Sequence, residues 1–161
     1  MKSSLITATC LILAAQWAQA QTLESIPNAP LQELWVNGGF YSYHFQRNKN
    51  LNDRNPGLGL EYRFSSVASV TAGRFYNSDR SYSNYAGMYY QPWQIGPVRL
   101  GAVAGGFNGY PKMRQGGWFV AAIPTASFEY QRVGVNVAVV PTYKDRLYGA
   151  ISVQLKFKLS D

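Results

Sequence analysis

The feature that most constrains the fold of this chain is a two-residue alternation of apolar and polar side chains. Between residues 150 and 159, every second position from Ile151 to Leu159 carries a large apolar side chain, with polar or small residues between them. The same alternation runs through 57–64 and 133–139. Because successive side chains of a β-strand point to opposite faces, this pattern predicts strands with one apolar and one polar face.

Eight such strands are predicted, and their connections alternate in length. The strands are expected at 34–45, 57–64, 67–76, 85–91, 97–107, 117–130, 133–141 and 147–159. Connections after the first, third, fifth and seventh strands are long and polar, whereas the others are short. Long loops at one end and tight turns at the other are typical of outer-membrane barrels, in which all backbone groups pair laterally. We therefore predict an all-β fold, an eight-stranded antiparallel transmembrane β-barrel that forms one domain over 34–159.

The start of the chain is predicted to be a cleaved secretory signal peptide over residues 1–20. Lys2 gives a positive first region, residues 5–15 are apolar, and Ala18-Gln19-Ala20 forms a small-x-small cleavage site. Residues 21–33 would follow as a short periplasmic segment. The expected location of the exported chain is the outer membrane of a bacterial cell. No later stretch reaches the ~18 uncharged apolar residues that a membrane-spanning helix requires.

The charge of the chain bears on its partners, since 15 Lys and Arg residues stand against 8 Asp and Glu residues. Export argues against nucleic acid, and the dispersed basic residues fit membrane lipids with anionic headgroups or lipopolysaccharide phosphates better. The one cysteine, Cys10, lies in the predicted signal, and no cysteine and histidine cluster suits zinc. We expect a monomer with no metal and no organic cofactor. The Asn- and Asp-rich segment 50–55 has oxygen ligands for calcium, although a solvated loop is the simpler interpretation.

Candidate catalytic residues fall at the predicted outer rim of the barrel. His44, the single histidine, ends the first predicted strand, and Asn77 and Ser78 end the third. Odd-numbered strands of an up-and-down barrel finish at the same rim, so these three residues are expected to lie together. A histidine beside a hydroxyl is the minimum needed to activate that hydroxyl or to take a proton from a substrate alcohol. A lone histidine is, however, more often structural.

These positions resemble the PagP-type family of outer-membrane lipid A palmitoyltransferases. Residues 75–78 are similar to the family's short Asp-Ser motif, and His44 matches its essential histidine. The resemblance implies an enzyme that moves a fatty acyl chain from a glycerophospholipid donor to a lipid A acceptor or a related one. It further implies His44 as general base, Ser78 as hydroxyl partner or acyl-positioning residue, and Asn77 as the group that orients the imidazole or donates to an oxyanion. Tyr43, Arg74 and Tyr76 would be possible headgroup contacts.

A second part of the resemblance is the spacing of two prolines, Pro124 and Pro141, with Ala-Ser and Tyr between them. In the family this pair marks a lateral gate through which lipid enters. Proline cannot donate to a sheet ladder, so paired prolines on adjoining strands weaken their seam. The alternative interpretation is that both prolines are tolerated at bulges or at the rim.

The sequence also departs from the family. Asn77 replaces an aspartate, and an amide cannot stabilise an imidazolium as a carboxylate does; Asp79 is close enough in sequence to substitute. Gly39 replaces a family proline, which removes the basis for a second lateral gate. The bulky Met88-Tyr89 lies near the expected floor of the acyl pocket, so a shorter acyl chain, or none, is expected.

Other functions remain open at this point. A non-enzymatic small barrel, such as an adhesin, a membrane-integrity protein or a narrow channel, predicts that His44 and Ser78 lie apart and that charged or aromatic side chains plug the lumen. A lipid A deacylase would carry histidine and serine on one late strand, which this chain lacks. Small residues on the predicted inner face either permit bends or leave a cavity for an acyl chain. They are Gly57, Gly59, Ser69, Thr71, Gly73, Gly101, Gly105, Gly134 and Ala138.

Overall fold

The computed structural model describes residues 22–160, so the predicted signal peptide lies outside the described residues. The strands are β1 (Leu23–Ser25), β2 (Pro30–His44), β3 (Arg54–Ser65), β4 (Ala68–Tyr76), β5 (Tyr82–Ile95), β6 (Val98–Phe107), β7 (Phe119–Tyr130), β8 (Val133–Val140) and β9 (Ala150–Ser160). Two single-turn 3₁₀ helices, Arg47–Lys49 and Arg114–Gly116, lie in the long loops. In the range 22–160 no helix is long and apolar enough to cross a membrane.

Strands β2 to β9 form a closed antiparallel barrel. Each pairs with the next along the chain, and β9 returns to pair with β2. The turns β3–β4, β5–β6 and β7–β8 lie at one end, and the longer loops β2–β3, β4–β5, β6–β7 and β8–β9 lie at the other, which we call the outer end. The predicted eight-stranded antiparallel barrel is confirmed.

The two faces of the barrel follow the predicted alternation. On β9, Ile151 and Leu155 are exposed on the outside of the barrel, whereas Gln154 and Lys156 are buried in the lumen. The same holds on β3, where Leu58 and the apolar residues at alternate positions after it are exposed. On these two strands the outside therefore carries the apolar side chains and the lumen mainly polar or small ones, the inverse of a water-soluble sandwich.

The segment predicted as a periplasmic extension contains regular structure. β2 begins at Pro30, inside the predicted segment, and β1 pairs with Trp93–Ile95 of β5. Between these strands the chain crosses the β3–β4 turn, where Ser66 Oγ donates to the Pro27 carbonyl at 2.6 Å. A three-residue strand is too short to show periodicity, which is why the sequence did not indicate β1.

The inner half of the lumen is filled by a buried ion network. Lys156 Nζ lies 3.0 Å from Glu61 and 2.8 Å from Glu129. Arg63 pairs with Glu129 and, at 3.1 Å, with Glu33. Above these ions, amide and hydroxyl side chains form a hydrogen-bonded polar layer across the barrel, made of Gln91, Thr125, Ser127, Asn136 and Gln154. The lumen is therefore plugged at the inner end.

Three of the inward glycines do not leave empty space for an acyl chain; they accommodate large neighbouring side chains. A methyl group at Gly73 would lie 2.7 Å from the Tyr85 hydroxyl, and Gly59 faces the same hydroxyl. At Gly134 a methyl group would meet the aliphatic part of Lys156 at 3.0 Å. These glycines make room for a buried tyrosine and for the lysine of the ion network.

Candidate active site at the outer rim

Three side chains form a continuous hydrogen-bonded series at the outer rim. His44 Nε2 lies 2.8 Å from Ser78 Oγ, and His44 Nδ1 lies 2.8 Å from Asp53 Oδ1. His44 is 3% exposed, and it is the last residue of β2. Asp53 stands just before β3, and Ser78 lies two residues after β4. The sequence-based expectation that His44 and Ser78 share one rim agrees with this arrangement.

Backbone pairing holds the three positions together. The Ser42 amide donates to the Asp53 carbonyl at 2.8 Å, which attaches the end of the β2–β3 loop to β2. The Asn52 amide donates to the Ser78 carbonyl at 3.0 Å, which attaches the same loop to the β4–β5 turn. Backbone pairing between neighbouring segments thus holds Ser78 and Asp53, each from a separate part of the chain, within hydrogen-bonding distance of His44.

The arrangement matches the roles in a serine, histidine and aspartate triad. An ionised carboxylate only accepts hydrogen bonds, so Asp53 selects the tautomer in which His44 Nδ1 carries the proton. His44 Nε2 is then free to accept the proton of Ser78. Asp53 is partly exposed, at 29% of its side chain, and its second oxygen lies 3.4 Å from Arg47.

Asn77 does not perform the role that the sequence suggested. Its side chain is fully buried, and its amide donates to Ser83 Oγ and to the Gly109 carbonyl, both at 2.8 Å. Its oxygen accepts from the amides of Asp79 at 2.9 Å and Ser81 at 3.0 Å. Because these bonds occupy the whole side chain, Asn77 builds the turn that presents Ser78, and neither orients His44 nor supplies a free oxyanion donor.

The carboxylate that the sequence analysis sought is Asp53, and that analysis missed it. It appeared there only within the segment 50–55, considered for calcium. Asp79, the substitute considered from sequence, lines the cavity beneath the rim without a hydrogen bond to His44. Burial raises the pKa of Asp79 above its ordinary value, while Lys112 and His44 oppose that shift. The only available signal was the position of an aspartate immediately before a strand that neighbours the histidine strand.

An apolar cavity extends from the triad toward the middle of the barrel. His44, Ser78 and Asp79 lie at its mouth, and its wall is mainly aromatic and aliphatic, including Phe40, Phe75, Phe107, Phe119, Val103, Ile123, Ala138 and Val140. Tyr89 lines the cavity and is buried, whereas Met88 points outward and is 47% exposed. From Phe119 to Ile123 the wall spans four residues, or ~13 Å along the strand and ~10 Å along the barrel axis.

The outer part of the seam between β7 and β8, beside this cavity, has no backbone pairing. Its register runs only from Thr125↔Ala138 to Tyr130↔Val133. Beyond Thr125 toward the outer end, β7 pairs with β6 alone. Pro124 is the first residue past the paired part, and Pro141 follows the end of β8. The two prolines therefore flank a gap in the ladder on the outer half of the barrel.

The three predicted headgroup contacts lie on the outside of the rim. Tyr43 is 52% exposed, and the Arg47 guanidinium stacks on its ring at 4.6 Å. Arg74 stacks on Tyr82 at 4.4 Å, and the Tyr76 ring packs edge-on against the same tyrosine at 5.4 Å. These side chains are outside the cavity, so any contact with a lipid headgroup would be made from the barrel exterior.

Among residues 22–160, no three or more His, Cys, Asp or Glu side chains are grouped so that they could bind a metal ion.

Comparisons with known proteins bear on the fold. No family model and no curated protein matches the chain. The solution NMR structure of the de novo designed protein TMB2.3 is similar, with a TM-score of 0.57 and 15% identity, covering 81% of this chain and 96% of that one. The Yersinia pestis outer membrane protein Ail in a phospholipid bilayer nanodisc has a TM-score of 0.47 and 13% identity, covering 80% of this chain and 100% of Ail. At 15% identity the likeness to TMB2.3 shows the fold alone: this chain is a small, closed, eight-stranded antiparallel β-barrel.

Proposed function

We propose that this chain is an outer-membrane enzyme that transfers the acyl group of a glycerophospholipid to lipid A or a related acceptor. The observation that carries the proposal is the series Ser78–His44–Asp53, with both hydrogen bonds at 2.8 Å, over an apolar cavity. Any buried histidine needs partners for both ring nitrogens. What points to chemistry is that the partners here are a carboxylate and a serine hydroxyl, and that this serine also lines the cavity. The resemblance to the palmitoyltransferase family supports the acceptor class.

The membrane location is supported by the outer surface of the barrel. Large apolar side chains are exposed on it along several strands, and aromatic residues gather near both ends, as in outer-membrane barrels. The outer group contains Tyr41, Tyr43, Tyr82 and Trp118, and the inner group Tyr62, Phe64, Trp93, Phe128 and Tyr130. In water such a surface would aggregate, whereas in lipid it needs no further partner.

The proposed chemistry uses only side chains of this chain. His44 Nε2 takes the Ser78 proton as Ser78 Oγ attacks the ester carbonyl of the donor. The C–O bond to the glycerol oxygen breaks, and His44 returns the proton to that oxygen, which leaves an acyl-serine and a lysophospholipid. The acceptor hydroxyl then gives its proton to His44 as its oxygen attacks the acyl-serine carbonyl. The bond between that carbonyl carbon and Ser78 Oγ breaks, and His44 returns the proton to Ser78 Oγ. Asp53 stabilises the imidazolium in both steps.

The cavity would hold the acyl chain during this exchange. The part of the cavity that β7 lines spans ~10 Å along the barrel axis, less than the ~15 Å of one leaflet of a ~30 Å hydrocarbon core, which favours a short acyl chain. The buried Tyr89 and the polar layer beneath it set that limit. Lipid would enter through the unpaired β7–β8 seam between Pro124 and Pro141 rather than from water.

A non-enzymatic barrel is the second candidate function, and the ion network favours it. That alternative predicts a plugged lumen, and Glu61, Lys156, Arg63 and Glu129 do fill the inner half. It also predicts that His44 and Ser78 lie apart, which the 2.8 Å contact does not support. The plug does not by itself exclude the enzyme, because a membrane enzyme with an acyl pocket must also avoid leakage.

The deciding experiment compares lipid A acyl number by mass spectrometry in cells with and without the protein. We expect one added acyl chain with the native chain, and none with Ser78→Ala or His44→Ala. The matched control is Ser152→Ala, since Ser152 lines the same cavity but bonds Ser42 at 2.8 Å instead of His44. Purified protein in mixed micelles with a glycerophospholipid then separates transfer from hydrolysis. Unchanged lipid A together with no ester cleavage in micelles would favour the non-enzymatic barrel.

A further inference from the structure

Two lysines from different loops lie beside Tyr148, and an arginine from a third loop lines the same cavity as Tyr148. Lys49 lies with its Nζ 5.5 Å from the Tyr148 ring centre, and Lys112 lies with its Nζ 5.0 Å from it. Lys112 Nζ also donates to the Tyr148 hydroxyl at 3.0 Å. Arg146 is two residues before Tyr148, and both line the cavity together with Ser78.

These cations lack anionic partners. Among residues 22–160, the ion pairs of the outer rim involve one carboxylate, Asp53, which contacts His44 and Arg47. Neither Lys49 nor Arg146 forms an ion pair in that part of the chain, and Lys112 has Asp79 and Asp145 only at longer range. The hydrogen bond to Tyr148 raises the pKa of the Lys112 ammonium, which keeps it charged.

The imbalance extends over the whole outer end. The outer loops and the strand ends beside them carry three aspartates: Asp53, Asp79 and Asp145. The basic residues of the same region are Arg47, Lys49, Arg54, Arg74, Arg80, Lys112, Arg114, Lys144 and Arg146. A cleft lined by one sign of charge concentrates ligands of the other sign. Phosphate groups are anions that lipid headgroups present at a membrane surface.

We propose that Lys49, Lys112 and Arg146 form a phosphate-binding site that holds the headgroup of the lipid substrate beside Ser78. The inference rests on the proposed function, because it assigns the headgroup of the same substrate whose acyl chain enters the cavity. The ligand is a phosphate ester of a lipid, either the phosphodiester of a glycerophospholipid donor or a phosphomonoester on the acceptor. Arg146 presents a planar fork to the phosphate oxygens, and the two ammonium groups add charge from the other loops.

Geometry supports a role in placing the ester. Phosphate, ester and acyl chain are consecutive parts of one amphiphile. Arg146, Tyr148, Ser78 and the apolar wall line one cavity, and Lys49 and Lys112 lie beside Tyr148 at its edge. With the chain in the apolar part and the phosphate on the cations, the ester lies between them, at the level of Ser78. Lys49 and Lys112 are therefore specificity-determining residues that act on substrate position.

The test measures binding in the Ser78→Ala background, so that it does not depend on turnover. Calorimetric titrations in a nonionic detergent would use dihexanoyl phosphatidic acid, dihexanoyl phosphatidylglycerol and dihexanoylglycerol, which carry a phosphomonoester, a phosphodiester and no phosphate. We expect a Lys49→Gln/Lys112→Gln variant to bind the phosphorylated lipids about 100-fold more weakly, about tenfold for each cation. Binding of dihexanoylglycerol should not change. The matched control is Lys144→Gln, because Lys144 lies over the Tyr143 ring and not over Tyr148 among the described residues.

The outcomes separate this inference from the proposed function. Stronger binding of the monoester would identify the acceptor as the source of the phosphate, and stronger binding of the diester the donor. Equal binding of all three lipids would overturn the phosphate site, as would an equal loss with Lys144→Gln. If the native chain transfers acyl groups but shows no preference for phosphorylated lipids, the proposed enzyme activity is supported and the phosphate site is refuted. If phosphorylated lipids bind as expected but the native chain transfers no acyl group, the phosphate site is supported and the proposed enzyme activity is refuted.

Discussion

Replacing Asp53 with asparagine tests the part of the site that sequence reasoning missed. The substitution keeps the shape of the side chain and removes one negative charge 2.8 Å from His44 Nδ1. Two unit charges with centres ~4 Å apart interact by ~4 kcal/mol at an effective dielectric of 20. Because Asp53 is 29% exposed and also pairs with Arg47, we take about 3 to 4 kcal/mol as its stabilisation of the imidazolium. At ~1.4 kcal/mol per tenfold change, Asp53→Asn should slow acyl-enzyme formation by about 10² to 10³. In serine proteases the equivalent swap costs about 10⁴, with a more deeply buried carboxylate.

The assay for Asp53→Asn does not require the natural substrate. An alkyl fluorophosphonate phosphonylates an activated serine, so its rate of labelling of Ser78 in detergent micelles reports activation by His44. Asp145→Asn is the matched control, since it removes the same charge from an exposed rim carboxylate, and its labelling rate should equal that of the native chain. Native protein and Asp53→Asn labelled at equal rates would refute the reasoning, as would labelling that survives Ser78→Ala.

Three further predictions concern the turn, the seam and the ion network. Asn77→Ala should lower the free energy of unfolding by about 2 to 4 kcal/mol, because several buried hydrogen bonds are lost together; urea unfolding in lipid vesicles measures it. Ile123→Cys with Val140→Cys should form a disulfide across the unpaired part of the seam, abolish acyl transfer, and recover activity on reduction. Glu61→Gln should lower the free energy of unfolding by about 3 to 5 kcal/mol, since it breaks a buried ion pair, and adding Lys156→Met should restore part of that loss.

Each of these has an outcome that would contradict it. For the turn, an Asn77→Ala barrel as stable as the native one would show that the buried amide is dispensable. For the seam, the control is a cysteine pair at Val137 and Val153, which are already paired on the outside of β8 and β9; loss of transfer there too would mean that the disulfide acts by some route other than closing the seam. For the ion network, a double variant less stable than Glu61→Gln alone would show that the remaining pair of Lys156 with Glu129, at 2.8 Å, is enough to stabilise the buried lysine.

Much of the fold was predictable because its physical cause is local. Alternation in β3, β8 and β9 was visible in the sequence, since a side chain in a strand has only two faces to choose from. The loop lengths then indicated which strand ends share a rim. The sequence did not predict β1, because three residues are too few to show a periodicity. It also did not predict what lies against the glycines of the inner face. The space at Gly59 and Gly73 is taken by Tyr85, a contact between strands that no pattern within one strand reveals.

The candidate site divides in the same way. The sequence by itself determined the alternating strands, the meeting of His44 and Ser78 at one rim, and the position of the proline pair, because each follows from strand direction and spacing. Only the tertiary structure decided that Asp53 and not Asn77 contacts His44. The reason is that a hydrogen bond depends on where a side chain points, to within a few tenths of an ångström. In a closed barrel that direction is set by the register of neighbouring strands and by the loops between them.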